Sequence, residues 1–441
     1  MQTLLTRFIA GALLVSVGIS GISHGFAQSS STAPPVPADV DAEQNLKSFD
    51  EVWQRIKQTH WDPEKVGADW DAARDELRPR VERATSIDEA RQIMQELLDR
   101  LGQSHFAIIP ASSYELVDNE SGGDADLGLT IRYAEDRFWV VRVRPGSPAA
   151  EAGIRPGWQV EAVGDRDREQ ILERLEPAAK GPIRLETLVG LVMERGLSGD
   201  EGEALDVTMI DLEGQTVTPS LVPKPSPGKM VQLGFLPPMR VQYESRTLDG
   251  QIGYFWFNAF LDPVTLMPAF RKTVRDPEHR RGMIIDLRGN HGGIAGMTMG
   301  MASLFSAQSK PLGTMTMRGT ELKFTVNGQR NPYPGPLAIL VDECSISSAE
   351  ILAGGLQDLG LARVFGRRTA GLALPSLVTR LPNGDGFQYA MADYHSASGK
   401  SLEGDGVMPD EVIPLDPNKL AVQPDPVLSR AIEWIEQKHQ H

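Results

Sequence analysis

The sequence is poor in cysteine and in positive charge. Cys344 is the single cysteine among 441 residues. No internal disulfide can form, so stability must come from packed cores. Acidic residues outnumber basic ones, 59 against 44, and the formal net charge is −15. Because a phosphate backbone is bound by a basic face, this balance argues against a nucleic acid as partner.

Signature motifs for metals and nucleotides are also missing. The chain contains no His-Glu-x-x-His, no Cys-x-x-Cys and no phosphate-loop glycine pattern. Those spacings place metal ligands together or cradle a phosphate. We therefore expect no metal and no other cofactor.

Long apolar runs are scarce, and one at residues 8–22 lies near the amino terminus. Arg7 precedes it, and Gly25 and Ala27 put small residues before a cleavage point. This pattern is typical of a secretory signal peptide at residues 1–27, which predicts a periplasmic or secreted protein. An uncleaved membrane anchor is the alternative. The run is shorter than the roughly 20 residues that a span needs, so we expect no stable span after cleavage.

Residues 28–43 and 44–123 differ in composition. The first stretch is rich in serine, alanine and proline and is expected to be a disordered linker. In the second, apolar residues recur at spacings of three and four, as at Val52 and Ile56, which predicts an N-terminal helical region. Ser86, with acidic residues directly after it, has the pattern of a helix start.

Residues 124–222 alternate short strands with turns. Residues 147–158 read Ser-Pro-Ala-Ala-Glu-Ala-Gly-Ile-Arg-Pro-Gly-Trp, a turn, a short helix and a second turn between two predicted strands. This segment resembles a PDZ domain. PDZ domains add an extended peptide to a sheet edge and hold its terminal carboxylate on backbone N–H groups. The resemblance assigns that carboxylate loop to Leu127, Gly128 and Leu129.

Two points about this PDZ-like domain stay open. A PDZ fold that serves only as a spacer is the alternative interpretation. Residues 166–200 also exceed what a minimal PDZ domain needs. We interpret them as a helical insertion without an assigned role.

A proline-rich linker, residues 223–238, precedes the last large region. The strand-like runs there are 252–257, 283–287, 337–341 and 362–365, and the helical stretches are 294–305 and 348–359. Such alternation predicts a mixed α/β sheet over residues 236–421. A terminal helix is expected over 422–441. The fold class predicted for the whole chain is α+β and multidomain.

Ser347 stands where a predicted strand gives way to a predicted helix. A serine in such a turn exposes its hydroxyl, and the amide after it points out of the helix N-terminus, where negative charge is favoured. That combination suits a nucleophile beside half of an oxyanion hole. An ordinary helix cap is the competing interpretation, and Ser345 and Ser348 are neighbouring candidates.

Two segments resemble the C-terminal processing peptidases and the tricorn core peptidases. In residues 341–358, small residues around a serine, followed by Glu and Ala-Gly, put the family's nucleophile on Ser347. Residues 282–293 have the family's strand followed by Asp-Leu-Arg, Asn and a glycine pair. The resemblance implies a crotonase/ClpP-like catalytic core with an N-terminal helical cap. It also implies an oxyanion hole made by the amides of Ser348 and of Gly292–Gly293.

The base position departs from the C-terminal processing pattern. Those enzymes carry a lysine soon after the nucleophile, and the matching residue here is Leu372, which takes no proton. The tricorn-like branch uses a histidine preceded by serine, and a glutamate near the chain end. The resemblance therefore assigns His105 as general base, with Ser104 and Glu403 as the groups that orient it. A structural histidine and a surface glutamate are the alternatives.

The resemblance as a whole implies an exported serine endopeptidase. It would cut proteins recruited by their C-termini through the PDZ-like domain, by way of an acyl-enzyme on Ser347. The expected partners are a protein or peptide substrate with an accessible C-terminus, and a second copy of the chain or an adaptor protein. An inactive protease fold that only binds partners is one alternative. A protease assembled only with an adaptor or as an oligomer is another.

Overall fold

The computed structural model describes residues 13–14, 42–115, 125–179, 184–199, 202–423 and 425–438. Of the predicted signal peptide, only strand β1, Leu13–Leu14, is included, and the predicted linker as far as residue 41 lies outside the described residues. No helix within the described ranges is long and apolar enough to cross a membrane.

The N-terminal region is helical, as predicted. Its elements are α1 (Ala42–Thr59), α2 (Ala68–Glu82), α3 (Ile87–Asp99), β2 (Ala107–Ile109) and α4 (Ser112–Glu115). The predicted cap forms, since the Ser86 side chain accepts a hydrogen bond from the Glu89 amide. The apolar faces of the three long helices share one buried cluster with Leu374 and Phe387 from far along the chain. Helix α3 thereby places residues 104–105 beside the mixed α/β region.

The region whose sequence resembles a PDZ domain, residues 124–222, is called the PDZ-like domain after that resemblance. Its described residues form a small antiparallel sheet with helices packed on it. Its strands are β3 (Ala125–Asp126), β4 (Leu129–Ala134), β5 (Arg137–Val143), β6 (Gln159–Val163), β7 (Arg166–Asp167), β8 (Ser198–Gly199), β9 (Leu205–Ile210), β10 (Thr216–Val217), β11 (Ser220–Leu221) and β12 (Lys224–Pro225). Its helices are α5 (Pro148–Glu151), α6 (Arg168–Leu175) and α7 (Leu185–Gly196). The main sheet has the order β10-β9-β6-β5-β4.

Helices α6 and α7 lie within residues 166–200, where we expected a helical insertion. Ile171 of α6 and Val189 and Met193 of α7 lie in the same buried cluster as the sheet residues Ile131 and Val160. The two helices therefore contribute to the core of this domain.

The remaining chain forms the mixed α/β region. Its strands are β13 (Lys229–Val231), β14 (Met239–Val241), β15 (Tyr243–Leu248), β16 (Ile252–Phe257), β17 (Gly282–Asp286), β18 (Gly292–Gly293), β19 (Lys310–Met317), β20 (Thr320–Val326), β21 (Leu337–Val341), β22 (Arg363–Gly366), β23 (Ser376–Arg380), β24 (Gly386–Ala390), β25 (Ala392–Ser396) and β26 (Glu411–Val412). Its helices are α8 (Pro263–Arg275), α9 (Ala295–Ser303), α10 (Ser348–Asp358), α11 (Pro417–Val422) and α12 (Pro426–Lys438). Strand β2 of the helical region pairs with β24.

The central sheet has the order β15-β16-β17-β21-β22-β26. Strand β15 is antiparallel to β16, and the other neighbours are parallel. Helices α8 to α10 pack in the cluster on one face, and α12 covers the other face. The segments that follow β17, β21 and β22 all leave from the carboxyl edge of the sheet, where open α/β sheets place their ligands.

Candidate active site

Ser347 occupies a strained turn between β21 and α10. Its backbone has φ 57° and ψ −114°, a conformation that costs a non-glycine residue on the order of 1–3 kcal/mol. The side chain is buried, and its Oγ has no hydrogen-bond partner among the described residues. A buried hydroxyl without a partner is costly in a merely structural role. The turn therefore presents an oxygen that is held in place and unengaged.

The glycine strand β18 lies directly against this turn. A side chain at Gly292 would come within 2.8 Å of the Ser347 Cβ and 3.1 Å of the Ser348 nitrogen, so only glycine fits. The Gly292 amide donates to Asn290 Oδ1 at 2.9 Å. Among the predicted oxyanion donors, this leaves the amides of Gly293 and Ser348. Ser348 opens helix α10, so its amide has no carbonyl one turn earlier in the helix.

A hydrogen-bonded chain connects Glu403 to His105. The Glu403 carboxylate accepts from the Ser104 amide at 2.8 Å and from the Ser104 hydroxyl at 2.9 Å. Ser104 Oγ lies 2.6 Å from His105 Nδ1. Since the hydroxyl proton goes to Glu403, Ser104 Oγ accepts from Nδ1–H, and this fixes the tautomer with a lone pair on Nε2. His105 Nε2 is buried without a partner among the described residues.

Burial moves the pKa values of both ends of this chain. It lowers the pKa of His105 to about 3, so the imidazole is neutral at physiological pH. It raises the pKa of Glu403 to about 7, against the opposing effect of the donors from Ser104 and Ala373. A carboxylate poised near neutral pH behind a neutral histidine can stabilise a proton that arrives on the ring.

Residues 372–373 join the serine turn to the histidine chain. The Ser347 amide donates to the Leu372 carbonyl at 3.0 Å, and the Ala373 amide donates to Glu403 at 3.1 Å. The Leu372 side chain is buried with Ile346 and Ala370, so this position supplies no base. Ser347 Oγ and His105 Nε2 do not hydrogen-bond to each other in this structure. Catalytic hydrogen bonds often tighten only when substrate binds.

Two supporting residues were not singled out from the sequence. Buried Asn290 donates to the Phe257 carbonyl, and its own carbonyl accepts from the Ile346 amide, which ties the glycine strand to the serine turn. Buried Glu350 accepts a hydrogen bond from the Ser347 amide at 3.0 Å. Both stand inside the motifs that carried the resemblance, and that position was the available signal.

The sequence pattern of peptidase family S41 matches residues 251–413, and that of the Tricorn protease C1 domain matches residues 41–99. A carboxyl-terminal-processing protease of Synechocystis sp. is 26% identical over 386 residues, covering 86% of this chain and 83% of its own. A putative tricorn protease homolog 2 of Streptomyces coelicolor is 26% identical and covers 88% of this chain but 32% of its own.

Residues 251–413, which match the model of peptidase family S41, are called the S41 domain below. The chain is a serine-type peptidase. Among solved structures, the photosystem II D1 C-terminal processing protease superposes with a TM-score of 0.55 at 20% identity, covering 85% of this chain and 94% of its own. Mature CPAF superposes with a TM-score of 0.58 at 15% identity, covering 90% and 98%. At these identities the likeness shows the fold alone.

Helix α7 of the PDZ-like domain docks on the loop that leads to Ser347 in the S41 domain. The Thr187 hydroxyl donates to the Glu343 carbonyl at 2.9 Å. A side chain at Gly190 would meet Cys344 Sγ at 2.3 Å, so the helix approaches the loop as closely as a glycine permits. Leu191 packs against the buried cluster around Leu372.

Charged groups reinforce this contact between the domains. Buried Arg132 of β4 donates to Asp342 Oδ2 at 2.8 Å. Glu194 of α7 lies 3.2 Å from His291, beside the glycine strand, and this carboxylate raises the pKa of His291 against the lowering effect of burial. His291 is thus engaged with the PDZ-like domain.

The predicted carboxylate loop of the PDZ-like domain is partly occupied by its own chain. The Leu127 amide donates to the Leu197 carbonyl at 3.3 Å, and the Leu127 carbonyl accepts from the Ala149 amide at 3.1 Å. Because Leu127 hydrogen-bonds within its own domain, the amides of Gly128 and Leu129 remain as the candidates that could bind a peptide carboxylate.

Asp286 and Arg288 of the S41 domain form an ion pair. Arg288 also donates to Asp425 at 2.8 Å, and the Tyr254 hydroxyl donates to Asp286 at 2.8 Å. These contacts hold the segment before α12 against the sheet, which is a structural role. No group of three or more His, Cys, Asp or Glu side chains in the described ranges could hold a metal ion.

Proposed function

We propose that this peptidase is an exported endopeptidase that cleaves protein chains through an acyl-enzyme on Ser347. The observation that carries the proposal is the chain Glu403–Ser104–His105, which ends in an unpartnered, buried Nε2. The Ala373 amide donates to Glu403 of this chain, and the neighbouring Leu372 carbonyl accepts from the Ser347 amide. Nucleophile, base and orienting group are recognised by such roles rather than by chain order.

In the first half of the reaction, His105 Nε2 takes the Ser347 hydroxyl proton as Oγ attacks the carbonyl carbon of the scissile bond. Negative charge develops on the carbonyl oxygen, within reach of the Ser348 and Gly293 amides. The tetrahedral intermediate then collapses. His105 gives its proton to the amine that leaves, and an ester links the acyl group to Ser347.

In the second half, His105 takes a proton from water, and the resulting hydroxide attacks the ester carbonyl. The ester bond breaks, the proton returns to Ser347 Oγ, and a carboxylic acid leaves. The imidazolium that forms in both halves is stabilised by ionised Glu403 through Ser104. Burial of His105 makes this support necessary, because a desolvated cation is otherwise unfavourable.

Substrate recruitment is proposed to use two strand edges. The PDZ-like domain would add the substrate's C-terminal segment beside β4 and hold its carboxylate on the amides of Gly128 and Leu129. In the S41 domain, the backbone of Leu13–Leu14 pairs antiparallel with Gly292–Gly293, and we propose that an extended substrate pairs with this strand in the same way. Export would follow from the signal pattern at residues 1–27.

An inactive or adaptor-dependent protease fold is the second candidate. Leu372 at the position of the family's lysine, and the missing hydrogen bond between Ser347 and His105, favour it. Under this alternative, the chain would bind protein C-termini without cutting them until a partner tightens the site.

Hydrolysis of an unstructured protein such as casein distinguishes the two. We expect the wild-type chain to cleave it, and Ser347→Ala and His105→Ala to lose activity by on the order of 10⁴-fold or more. Leu372→Ala should reduce turnover far less than either. Full activity of His105→Ala would contradict the base assignment, and an inactive wild type that gains activity with an adaptor would favour the second candidate.

A further inference from the structure

Glu350 is a fully buried carboxylate that receives four hydrogen bonds. Its Oε2 accepts from the amides of Ser347 and Leu372, each at 3.0 Å. The Ser347 N–H is shared with the Leu372 carbonyl, also at 3.0 Å. Its Oε1 accepts from the Thr369 hydroxyl at 2.6 Å and from the Gly371 amide at 2.8 Å. Two donors on each oxygen fill the acceptor capacity of an ionised carboxylate.

The Thr369 hydroxyl has no freedom to reverse its role. Its oxygen accepts a hydrogen bond from the Val407 amide at 2.7 Å, so its proton goes to Glu350. All four groups around the Glu350 oxygens are therefore donors. A glutamine in this place would aim its NH₂ group at two of them and leave buried donors unpaired.

These four donors come from two segments whose relative position the proposed reaction requires. Ser347 carries the strained turn, and residues 369–373 form an irregular loop after β22. The same loop reaches Glu403 through the Ala373 amide, and the Gly371 carbonyl accepts from the Gly404 amide at 2.8 Å. The Glu350 carboxylate thus connects the backbone of Ser347 to the loop that hydrogen-bonds to Glu403.

We propose that Glu350 is a positioning residue that locks the Ser347 turn and the 369–373 loop into one arrangement, so that nucleophile and Glu403 chain are placed together. The inference rests on the proposed function of Ser347 and His105. Glu350 touches neither the hydroxyl nor the imidazole. It acts through the backbone, where a displacement of about 1 Å can cost about 10²-fold in rate.

The charge of Glu350 has a second consequence that a purely structural residue would lack. Burial raises the pKa of Glu350, and its four donors oppose that effect. In its ionised form, Glu350 helps to raise the pKa of Glu403, after the larger effect of burial. The groups that face Glu403 from the other elements are the Ser104 amide and hydroxyl and the Ala373 amide, all donors that lower the pKa of Glu403. Removing the Glu350 charge is therefore expected to move the pH midpoint of activity downward.

Glu350→Gln and Thr369→Val separate position from charge. We expect Glu350→Gln to lower kcat by about 10²-fold with a smaller change in KM, and to lower the pH midpoint of kcat. Thr369→Val removes one donor but no charge, so kcat should fall while the midpoint stays. Glu411→Gln, the same change at a glutamate that pairs with Arg363 and Arg430, is the control and should alter neither.

The outcomes distinguish this inference from the proposed function. If Ser347→Ala is inactive but Glu350→Gln keeps kcat within about threefold of wild type, the inference is overturned and the proposed function stands. A fall in kcat with an unmoved midpoint in Glu350→Gln also overturns its second part. If Glu350→Gln does not fold, Thr369→Val decides alone, and unchanged turnover contradicts the inference. Activity in Ser347→Ala would contradict the proposed function itself.

Discussion

At the scale of single residues, two carboxylates lie around Ser347, the buried Glu350 and the partly buried Glu403, and neither hydrogen-bonds to its hydroxyl. Glu403 faces the base through Ser104, and Glu350 faces the backbone of the nucleophile. Burial disfavours the charged form of both carboxylates, and the hydrogen-bond donors around each carboxylate oppose that effect. The site is therefore stabilised by hydrogen bonds whose direction depends on the protonation state of Glu403.

The protonation of Glu403 predicts how turnover depends on pH. With a pKa of about 7, Glu403 is mostly ionised only above neutral pH, and ionised Glu403 is the form that accepts the Ser104 hydroxyl proton. His105, with a pKa of about 3, stays neutral throughout this range. We expect kcat to rise with pH through a midpoint near the pKa of Glu403.

Turnover of wild type and Glu403→Gln, measured from about pH 5 to about pH 9, tests this expectation. The variant should be slower by on the order of 10²-fold and should lose the midpoint near neutral pH. Glu411→Gln serves again as the matched substitution away from the histidine chain. A wild-type kcat that is flat across neutral pH would exclude Glu403 from the role assigned to it.

At the scale of elements, helix α7 packs on two domains at once. Val189, Val192 and Met193 lie in the core of the PDZ-like domain. Thr187 and Leu191 face the serine loop of the S41 domain. Such a helix can transmit a change in one domain to the other, because neither of its faces is free to adjust alone.

Gly190 of α7 provides a test of this contact. Alanine is the better helix former by about 1 kcal/mol, yet its Cβ would overlap Cys344 Sγ. The clash should prevail, so that Gly190→Ala lowers the free energy of unfolding by about 1–3 kcal/mol and slows turnover.

The double variant Gly190→Ala with Cys344→Ala removes the clash and should recover most of the lost stability, measured by urea unfolding. Cys344→Ala alone is the reference for the cavity that it leaves. Additive losses in the two single variants and the double variant would show that α7 does not press on the serine loop.

The sequence predicted elements well where a strand is buried on both faces. Strands β16 and β21 have the predicted bounds, because a strand in a covered parallel sheet is a continuous apolar run. It indicated helices within residues 166–200, but not that α6 and α7 contribute to the domain core, because a minimal PDZ pattern does not contain them. It also missed the hairpin β13–β14 in the proline-rich stretch, since proline and glycine obscured its short strands.

The site was predictable only in part, for a related reason. Ser347, His105, Ser104 and Glu403 followed from local motifs, and the structure brings Ser104, His105 and Glu403 into one hydrogen-bonded chain. Contacts between distant segments leave no local pattern. The bond from Thr369 to Glu350 and the bond from the Ile346 amide to the Asn290 carbonyl depend on tertiary packing alone.

At the scale of the whole molecule, three regions contribute to one edge of the central sheet. His105 lies between helix α3 and strand β2 of the N-terminal region, the PDZ-like domain supplies α7, and the S41 domain supplies Ser347 and Glu403. The buried pair of Arg132 and Asp342 joins the last two. Breaking such a pair leaves an uncompensated buried charge, so the domains are held in a defined arrangement.

The proposed recognition of substrate C-termini by the whole molecule can be tested with modified substrates. We compare two unstructured substrates that are identical except for a free or an amidated C-terminus. Charge-assisted hydrogen bonds to a carboxylate contribute about 1.5–3 kcal/mol, so amidation should raise KM by about tenfold or more with little change in kcat. Equal KM values would favour a PDZ-like domain that acts only as a spacer.

The central claim is that Ser347 is a nucleophile activated by His105, and covalent labelling tests it most directly. The wild-type chain is treated with a fluorophosphonate, and the modified residue is located by mass spectrometry. We predict one adduct on Ser347, no adduct in Ser347→Ala, and labelling slowed by on the order of 10²-fold or more in His105→Ala. Labelling of another serine, or an undiminished rate in His105→Ala, would contradict the account.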